Sequence, residues 1–503
     1  MIKTSVRKKR SSDFESADFA AATSHLPDYV VVELRYQSRL AFAPAAKAFG
    51  GPAEVEADVN SINAVLAKFD IADVRPLFSQ LKAKDLETRA MAAPSLAPAP
   101  VDSTFALAGF VQVRPEKVRD CERLVQQLKK HPAVWKATIA PRPEPAAKRK
   151  PTRTAPSVPP IPSPNFEPAQ GYLCDAPNGI GAAAVWPLKA TGAGVTVCDI
   201  EGNWNRTHED LPEGIKLLGG DPIADVSWIN HGTAVLGEMV SIPKSVGTVG
   251  ICHRAKPVVQ SAVIGGVFNA AGAILNAASQ LKAGDVILIE LHAHGGPDGK
   301  FVAMQFWDPV FAAIRTAVDM GIVVVEAAGN GDENFDRPEY AGTGLQKDSG
   351  AILVGAGIPP TNYFASDDGP KYGFGAYERI GKPRSRIWFS NYGSIVNVHG
   401  WGWHVTTLGY GDAQGGADPN KWYTLRFSGT SSASPIVTGA AVCLQSYARA
   451  KTGSPLSPAK VRDILMKTGT PQEDDSPRAP IGQRIGPLPN LVGALAEVDK
   501  IVG

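Results

Sequence analysis

The hydrophobic positions of this chain follow two different rhythms, one on each side of a proline-rich break. From Tyr29 to Tyr36, Val30, Val32 and Leu34 alternate with Val31, Glu33 and Arg35, the period of two of a half-buried strand. Val59, Ile62, Val65, Leu66 and Phe69 then recur at helical spacing, and Val74 to Phe78 predicts a second strand. An Ala/Pro stretch from Met91 to Pro100 interrupts the unit. After it, Phe105 to Val113 predicts a strand. Val118, Cys121, Leu124, Val125 and Leu128 form a helical stripe stopped by His131-Pro132, and Val134 to Ile139 closes as a strand. The order β-α-β-β-α-β predicts a ferredoxin-like α+β domain over residues 27–140, a fold that hosts many functions.

Residues 141–165 change to proline, alanine and basic residues, including Lys148-Arg149-Lys150, and predict an exposed linker. Beyond it the rhythm changes. Gly194 to Asp199, Val258 to Ile264, Asp285 to Leu291, Gly321 to Ala327 and Ala351 to Ala356 are apolar runs, several of them continuous, and stretches such as Ala270 to Leu281 and Val310 to Met320 have helical character. Continuous apolar strands are buried on both faces, so residues 166–503 are expected to form a parallel sheet wrapped by helices, an α/β domain.

Composition narrows the function classes. The 503 residues carry a net charge of +2, giving no general drive toward nucleic acid; Lys3, Arg7, Lys8, Lys9 and Arg10 sit in residues 1–26, read as a solvated basic tail. No apolar run reaches the roughly 20 residues needed to span a bilayer, so no membrane partner is expected. Residues 1–25 lack the apolar core of a secretory signal, which makes a cytoplasmic home or export by another route the expectation. Five cysteines, Cys121, Cys174, Cys198, Cys252 and Cys443, stand mostly in apolar runs and suit buried thiols better than disulfides.

The chemistry-bearing residues stand at the ends of the apolar runs. Val195 to Asp199 places a carboxylate where a strand opens into a loop, and Asn230-His231-Gly232-Thr233 begins a helix with a histidine. Val323 to Asn330 ends a strand with an amide on a glycine turn. Gly429-Thr430-Ser431-Ser432-Ala433-Ser434-Pro435 starts a buried helix, where unpaired amides favour negative charge beside Ser431. Singly, each has a structural reading: Asp199 as a strand-end cap, His231 as a core histidine, Asn330 as a turn residue, Ser431 as a helix cap.

In this order, and with Thr207-His208-Glu209-Asp210-Leu211, Ala328-Gly329-Asn330 and Phe389-Ser390-Asn391-Tyr392-Gly393 between them, the residues resemble the subtilisin-like serine peptidases, the subtilases, over roughly residues 170–500. Ile200-Glu201 departs from the pattern, standing where that family has a small residue and glycine. The resemblance implies a serine endopeptidase acting on protein or peptide substrates through an acyl-enzyme. It assigns Asp199, His231 and Ser431 as the triad, and Asn330 with the Ser431 amide as the oxyanion hole. It also implies substrate binding by Glu290, Leu291, His292, Ala328 and Gly329; Glu290 stands where that family has a serine, and its carboxylate either favours Lys or Arg at P1 or is bonded away from the cleft. A ferredoxin-like unit ahead of such a domain resembles a prodomain, an intramolecular partner released when the linker is cut between Pro141 and Asn165; the alternative is a catalytically silent binding or adaptor protein. No cofactor is implied. Subtilases often bind calcium near an asparagine thirteen residues after the histidine, and here position 244 is lysine, expected to pair with Asp210; calcium would then have to sit elsewhere.

Overall fold

The computed structural model describes residues 26–34, 53–78, 109–146, 162–360 and 381–502, with Thr23 and Leu107. The basic tail, the Ala/Pro stretch at 91–100, the start of the strand expected from Phe105, the linker from 147 to 161 and most of the loop expected at 359–386 lie outside the described residues.

The N-terminal part has the expected order: β1 (Val30–Leu34), α1 (Ala53–Leu66), β2 (Ile71–Pro76), β3 (Phe110–Pro115), α2 (Asp120–Leu128) and β4 (Val134–Ile139). Its four strands form a sheet ordered β2-β3-β1-β4, with the pairs β2–β3, β1–β3 and β1–β4 all antiparallel. Val30, Val32 and Leu34 pack with Ile62, Leu124 and Leu128 beneath the helices. Val31, expected on the solvent side, is buried too. With Tyr29, Leu77, Phe110 and Ala140 it packs on Val267, so the second face of the sheet is covered by the C-terminal part of the chain. The polar contacts agree, since Tyr29 Oη donates to the Phe268 carbonyl at 2.6 Å and Asn269 Nδ2 donates to the Leu77 carbonyl at 3.0 Å.

β4 runs on to a two-residue strand β5 (Glu144–Pro145) and then to the larger sheet. β6 (Thr196–Glu201), β7 (Lys216–Leu217), β8 (Lys256–Ser261), β11 (Val286–Ile289), β14 (Val323–Ala327), β15 (Ile352–Gly357) and β16 (Val398–Trp401) form seven parallel strands ordered β16-β15-β14-β11-β6-β8-β7; β9 (Val263–Ile264) and β10 (Val267–Phe268) make a small hairpin. The central strands were predicted by their continuous apolar runs. The two edges were not, because β7 is two residues long and β16 carries His399 and Gly400. Besides a single turn at Ala182–Val185, the α-helices among the described residues here are α3 (Val226–Val240), α4 (Ala270–Gln280), α5 (Asp308–Asp319), α6 (Thr430–Thr452), α7 (Pro458–Thr468) and α8 (Leu491–Val502). α6 is buried along almost its whole length and packs on α3, α8 and the sheet.

Two differences from expectation matter for the site. The run expected to end at Asp199 continues through Glu201. The run expected over 285–291 breaks at Glu290, where the chain leaves the parallel sheet and starts β12 (Leu291–Gly295). β12 pairs antiparallel with β13 (Lys300–Ala303) on one side and with β5 on the other. The stretch from Trp403 to Leu425 contains β17 (Val405–Leu408) and leads into β18 (Tyr423–Phe427), its antiparallel partner. Its tip bonds to the 205–209 segment, through Asn205 Nδ2 to the Pro419 carbonyl and Glu209 N to the Asn420 carbonyl. Of the five cysteines, four are buried and Cys174 is exposed; none forms a disulfide.

Candidate active site

Parallel strands leave their C-terminal ends open to a crevice, and the functional side chains converge there. β6 brings two acids. Because alternate strand residues share a face, Val197, Asp199 and Glu201 point the same way, while Cys198 and Ile200 enter the opposite core. Glu201 is one pleat nearer the end. Its Oε2 lies 2.5 Å from His231 Nδ1, and both side chains are fully buried. Asp199 lies deeper, and its Oδ2 accepts the indole N–H of Trp204 at 2.7 Å. The expected partnership of Asp199 with His231 is therefore corrected: the histidine's carboxylate is Glu201. The longer glutamate reaches from the strand end, which the two-residue extension of β6 supplies. Gly202 lets the end of β6 pack against Trp228, for a Cβ there would lie only 2.1 Å from the Trp228 Cε3.

α3 starts at Val226, capped by Asp225 Oδ1 accepting from Ser227 N at 2.8 Å, so His231 stands inside the helix and not at its start. Gly232 lets the helix approach the 203–204 turn, for a Cβ there would lie 2.3 Å from the Asn203 carbonyl. The Phe427 ring meets the imidazole edge-on at 5.2 Å. Burial lowers the His231 pKa to about 3, so in this covered state the imidazole is neutral and Nδ1–H faces the carboxylate. Burial also pushes the Glu201 and Asp199 carboxyls up; the Gly202 N–H opposes it at Glu201, and for Asp199 the Glu201 charge adds to it while the Trp204 bond opposes it.

Ser431 is the second residue of α6. Gly429 before it has φ 117°, a left-handed conformation that glycine takes without strain. Asn330 follows β14, and its Oδ1 accepts from Thr430 N at 2.9 Å and Thr430 Oγ1 at 3.1 Å, which turns Nδ2 outward. That Nδ2 donates to the carbonyl of Ala146, and the Ser431 backbone N–H donates to the same oxygen at 3.1 Å. Ala146 is completely buried, and the residues before it lie along the crevice as a strand, with Pro145 opposite Leu291 and Glu144 opposite His292. Leu291 and His292 thus lie on the strand that pairs with this segment of the chain. Gly329 sits beside it with φ 92°, and a side chain there would meet Asn391 and His292; Ala328 is buried, its carbonyl bonded to Asn391 Nδ2 at 2.6 Å.

Glu290 does not face the peptide. It is fully buried and its Oε2 lies 2.6 Å from Ser434 Oγ, on the α6 side. Burial pushes its carboxyl up, and its inward direction takes it away from a place where it would pair with Lys or Arg at P1. At position 244 the lysine reaches Asp210 Oδ1 at 3.3 Å and bonds the Glu209 carbonyl, while Thr248 N donates to Asp210 Oδ2 at 2.6 Å. The ammonium stands where it offers a cation nothing but repulsion. No cluster of three or more His, Cys, Asp or Glu suited to a metal occurs among the described residues.

Comparison with known proteins bears on the family and the fold. The model of the subtilase family matches residues 192–483, more than half of the chain. A comparison with curated proteins finds no match. Among solved structures, fervidolysin from Fervidobacterium pennivorans, a keratinolytic enzyme related to subtilisin, superposes with a TM-score of 0.50 at 16% identity, over 94% of this chain and 61% of that one. A protease from Pseudoalteromonas arctica PAMC 21717 gives 0.46 at 19% identity, covering 67% and 99%, and the prenylagaramide maturation protease PagA gives 0.43 at 20%, covering 63% and 98%. A serine on a buried helix start and a carboxylate-held histidine are the chemistry of a serine peptidase, and the match across residues 192–483 makes the chain a member of the subtilase family.

Proposed function

We propose that this protein is a serine endopeptidase made as a precursor that cuts its own chain after Ala146. One observation carries the reading: the Ala146 carbonyl oxygen accepts both Asn330 Nδ2–H and the Ser431 backbone N–H, the two donors that would hold an oxyanion. Two donors aimed at one carbonyl oxygen, next to a serine, are the arrangement needed for acyl transfer.

The proton path is the one this reading requires; its Glu201–His231 contact is formed, and Ser431 Oγ and His231 Nε2 make no hydrogen bond to each other among the described residues. Ser431 Oγ attacks the Ala146 carbonyl carbon and gives its proton to His231 Nε2, while Glu201 holds Nδ1–H and stabilises the imidazolium. The carbonyl oxygen takes the negative charge between its two donors, each worth about 3 to 4 kcal/mol on removal. Collapse breaks the Ala146–Ala147 bond, the imidazolium gives its proton to the leaving nitrogen, and an ester between Ala146 and Ser431 remains. Water activated by His231 hydrolyses it. The N-terminal unit would then stay on the enzyme as a product-like inhibitor, held by the docking of its sheet face on Val267 and by the bond from Arg142 Nε to Asp28 that ties the segment after β4 back to its own unit. The cleft-bound sequence Glu144-Pro145-Ala146 supports a preference for a small P1 residue in peptide and protein substrates.

Fluorophosphonate labelling tests the peptidase reading, since an activated serine forms a stable adduct. Labelling of the purified protein that Ser431→Ala abolishes is expected; no labelling before or after removal of the N-terminal unit would refute it.

A further inference from the structure

Asp199, Glu201, Glu238 and Glu290 are all buried on the nucleophile's side of the sheet, and the proposed hydrolysis uses only Glu201. Glu290 is the one that touches the helix start. It occupies the break between β11 and β12, its backbone N–H bonded to the Ile200 carbonyl at 3.3 Å. Its Oε2 is 2.6 Å from Ser434 Oγ, and Ser434 Oγ is also 2.7 Å from the Thr430 carbonyl one helical turn back. A hydroxyl has a single proton, and a carbonyl only accepts. If Ser434 gives its proton to Thr430, the short contact to Glu290 needs a proton from the acid.

From that donor count we propose that Glu290 is a positioning residue: its protonated carboxyl donates to Ser434 and fixes the first turn of α6 and the oxyanion hole built on it, and its ionisation as pH rises switches the peptidase off. The proposal rests on the peptidase reading above. A chain of contacts carries the effect. Glu290 holds Ser434, Ser434 holds the Thr430 carbonyl, and Thr430 N and Oγ1 hold Asn330 Oδ1, whose other end presents Nδ2 to the scissile carbonyl. The Ser431 hydroxyl also lies within interaction range of Glu290, although Ser431 Oγ and Glu290 Oε1 make no formed hydrogen bond among the described residues.

The surroundings oppose ionisation. Asp199 and Glu201 face Glu290 from β6, Glu238 from α3, and the hydroxyls of Ser431 and Ser434 from α6. Burial raises the Glu290 pKa first and the two β6 acids raise it further, while the two serines lower it. Glu326, the residue on β14 opposite Ile289, accepts the Gln305 N–H instead. His231, on α3, is neutral in the covered site. A carboxylate formed at Glu290 would therefore find acids on two sides. It would also take Ser434's proton from Thr430 and place negative charge beside the serine oxygen as it becomes nucleophilic and beside the forming oxyanion. A group with a raised pKa is protonated below that value, so activity is held at lower pH and lost as pH rises through it.

Hydrolysis of a peptide containing Glu-Pro-Ala by the purified full chain, in whatever processed form it takes, is to be followed from acid to alkaline pH for wild type, Glu290→Gln and Glu290→Ala. Gln keeps a donor to Ser434 and cannot ionise. Glu290→Gln is expected to hold wild-type kcat on the acid side and to lose the alkaline fall, while Glu290→Ala lowers kcat roughly tenfold at every pH with KM little changed. An alkaline limb in Glu290→Gln that superposes on wild type, or a Glu290→Gln enzyme as impaired as Glu290→Ala, overturns the proposal while leaving the peptidase reading intact. Wild-type protein inactive at every pH both before and after removal of the N-terminal unit would instead remove the peptidase reading on which it rests.

Discussion

Replacing Glu201 by glutamine should nearly abolish hydrolysis, and replacing Asp199 by asparagine should not. Glu201 Oε2 sits 2.5 Å from His231 Nδ1 with both side chains fully buried, so no water can substitute. A glutamine that turns its NH2 toward Nδ1 forces the imidazole proton onto Nε2, the atom that has to accept the serine proton. Loss of the orienting carboxylate in this way costs about 10⁴-fold in kcat, roughly 5.5 kcal/mol. Asp199 makes a different contact. Its Oδ2 accepts the Trp204 indole N–H at 2.7 Å, and the carbonyl oxygen of an asparagine accepts it equally well. The change also removes an acid whose charge raises a buried neighbour, so the expected loss is below about 1 kcal/mol, within fivefold. The assay is kcat/KM on a Glu-Pro-Ala peptide, with circular dichroism to show that both variants fold. An active Glu201→Gln beside an inactive, folded Asp199→Asn would refute the assignment.

Further outcomes follow from the same contacts. Ala146→Trp should slow self-cleavage at least tenfold, because Ala146 is fully buried and its carbonyl is held by Asn330 and Ser431; an unchanged rate by gel densitometry would show an open P1 site. Calcium removal with EDTA should leave the melting temperature nearly unchanged. Lys244→Ala should lower stability by about 1 to 2 kcal/mol in urea melts, a value discounted because Lys244 is a third exposed while its partner Asp210 is fully buried; a large EDTA effect would reveal a metal site elsewhere. Burial lowers the pKa of His231 to about 3 and of His208 and His399 to about 4, each against an ordinary value near 6.5. The unfolded chain then binds more protons than the fold as pH drops from about 6.5 to about 3, so the precursor should lose stability through that window, and His399→Gln should flatten the fall in a pH series of thermal melts.

The α/β core was legible because its central strands are continuous apolar runs, and the N-terminal unit because β1 and α2 keep clean periods of two and of 3.6. What the pattern did not reveal was contact between the two. Val31 carries no mark that its face docks on Val267. His231, Asn330 and Ser431 stood out through the local sequences around them. Glu201 did not, since Asp199 lies on the same face of the same strand, and only the length of β6 decides which acid stands at the end. Glu290 was visible as an oddity, but its direction depends on the strand break at that residue, which the apolar residues on both sides of it, Val286 to Ile289 and Leu291, conceal. Ala146 carries no chemical signal at all; its place is set by the docking of a whole sheet and by the pairing of Glu144 and Pro145 with β12.

The central claim, self-cleavage after Ala146 by Ser431, is tested most directly by intact-mass measurement of the purified protein beside Ser431→Ala. Two fragments are expected for the wild type, one ending at Ala146 and one beginning at Ala147, and a single full-length species for the variant. The same cut in Ser431→Ala, or a peptidase-active wild type whose chain is never cut or is cut elsewhere, would contradict it.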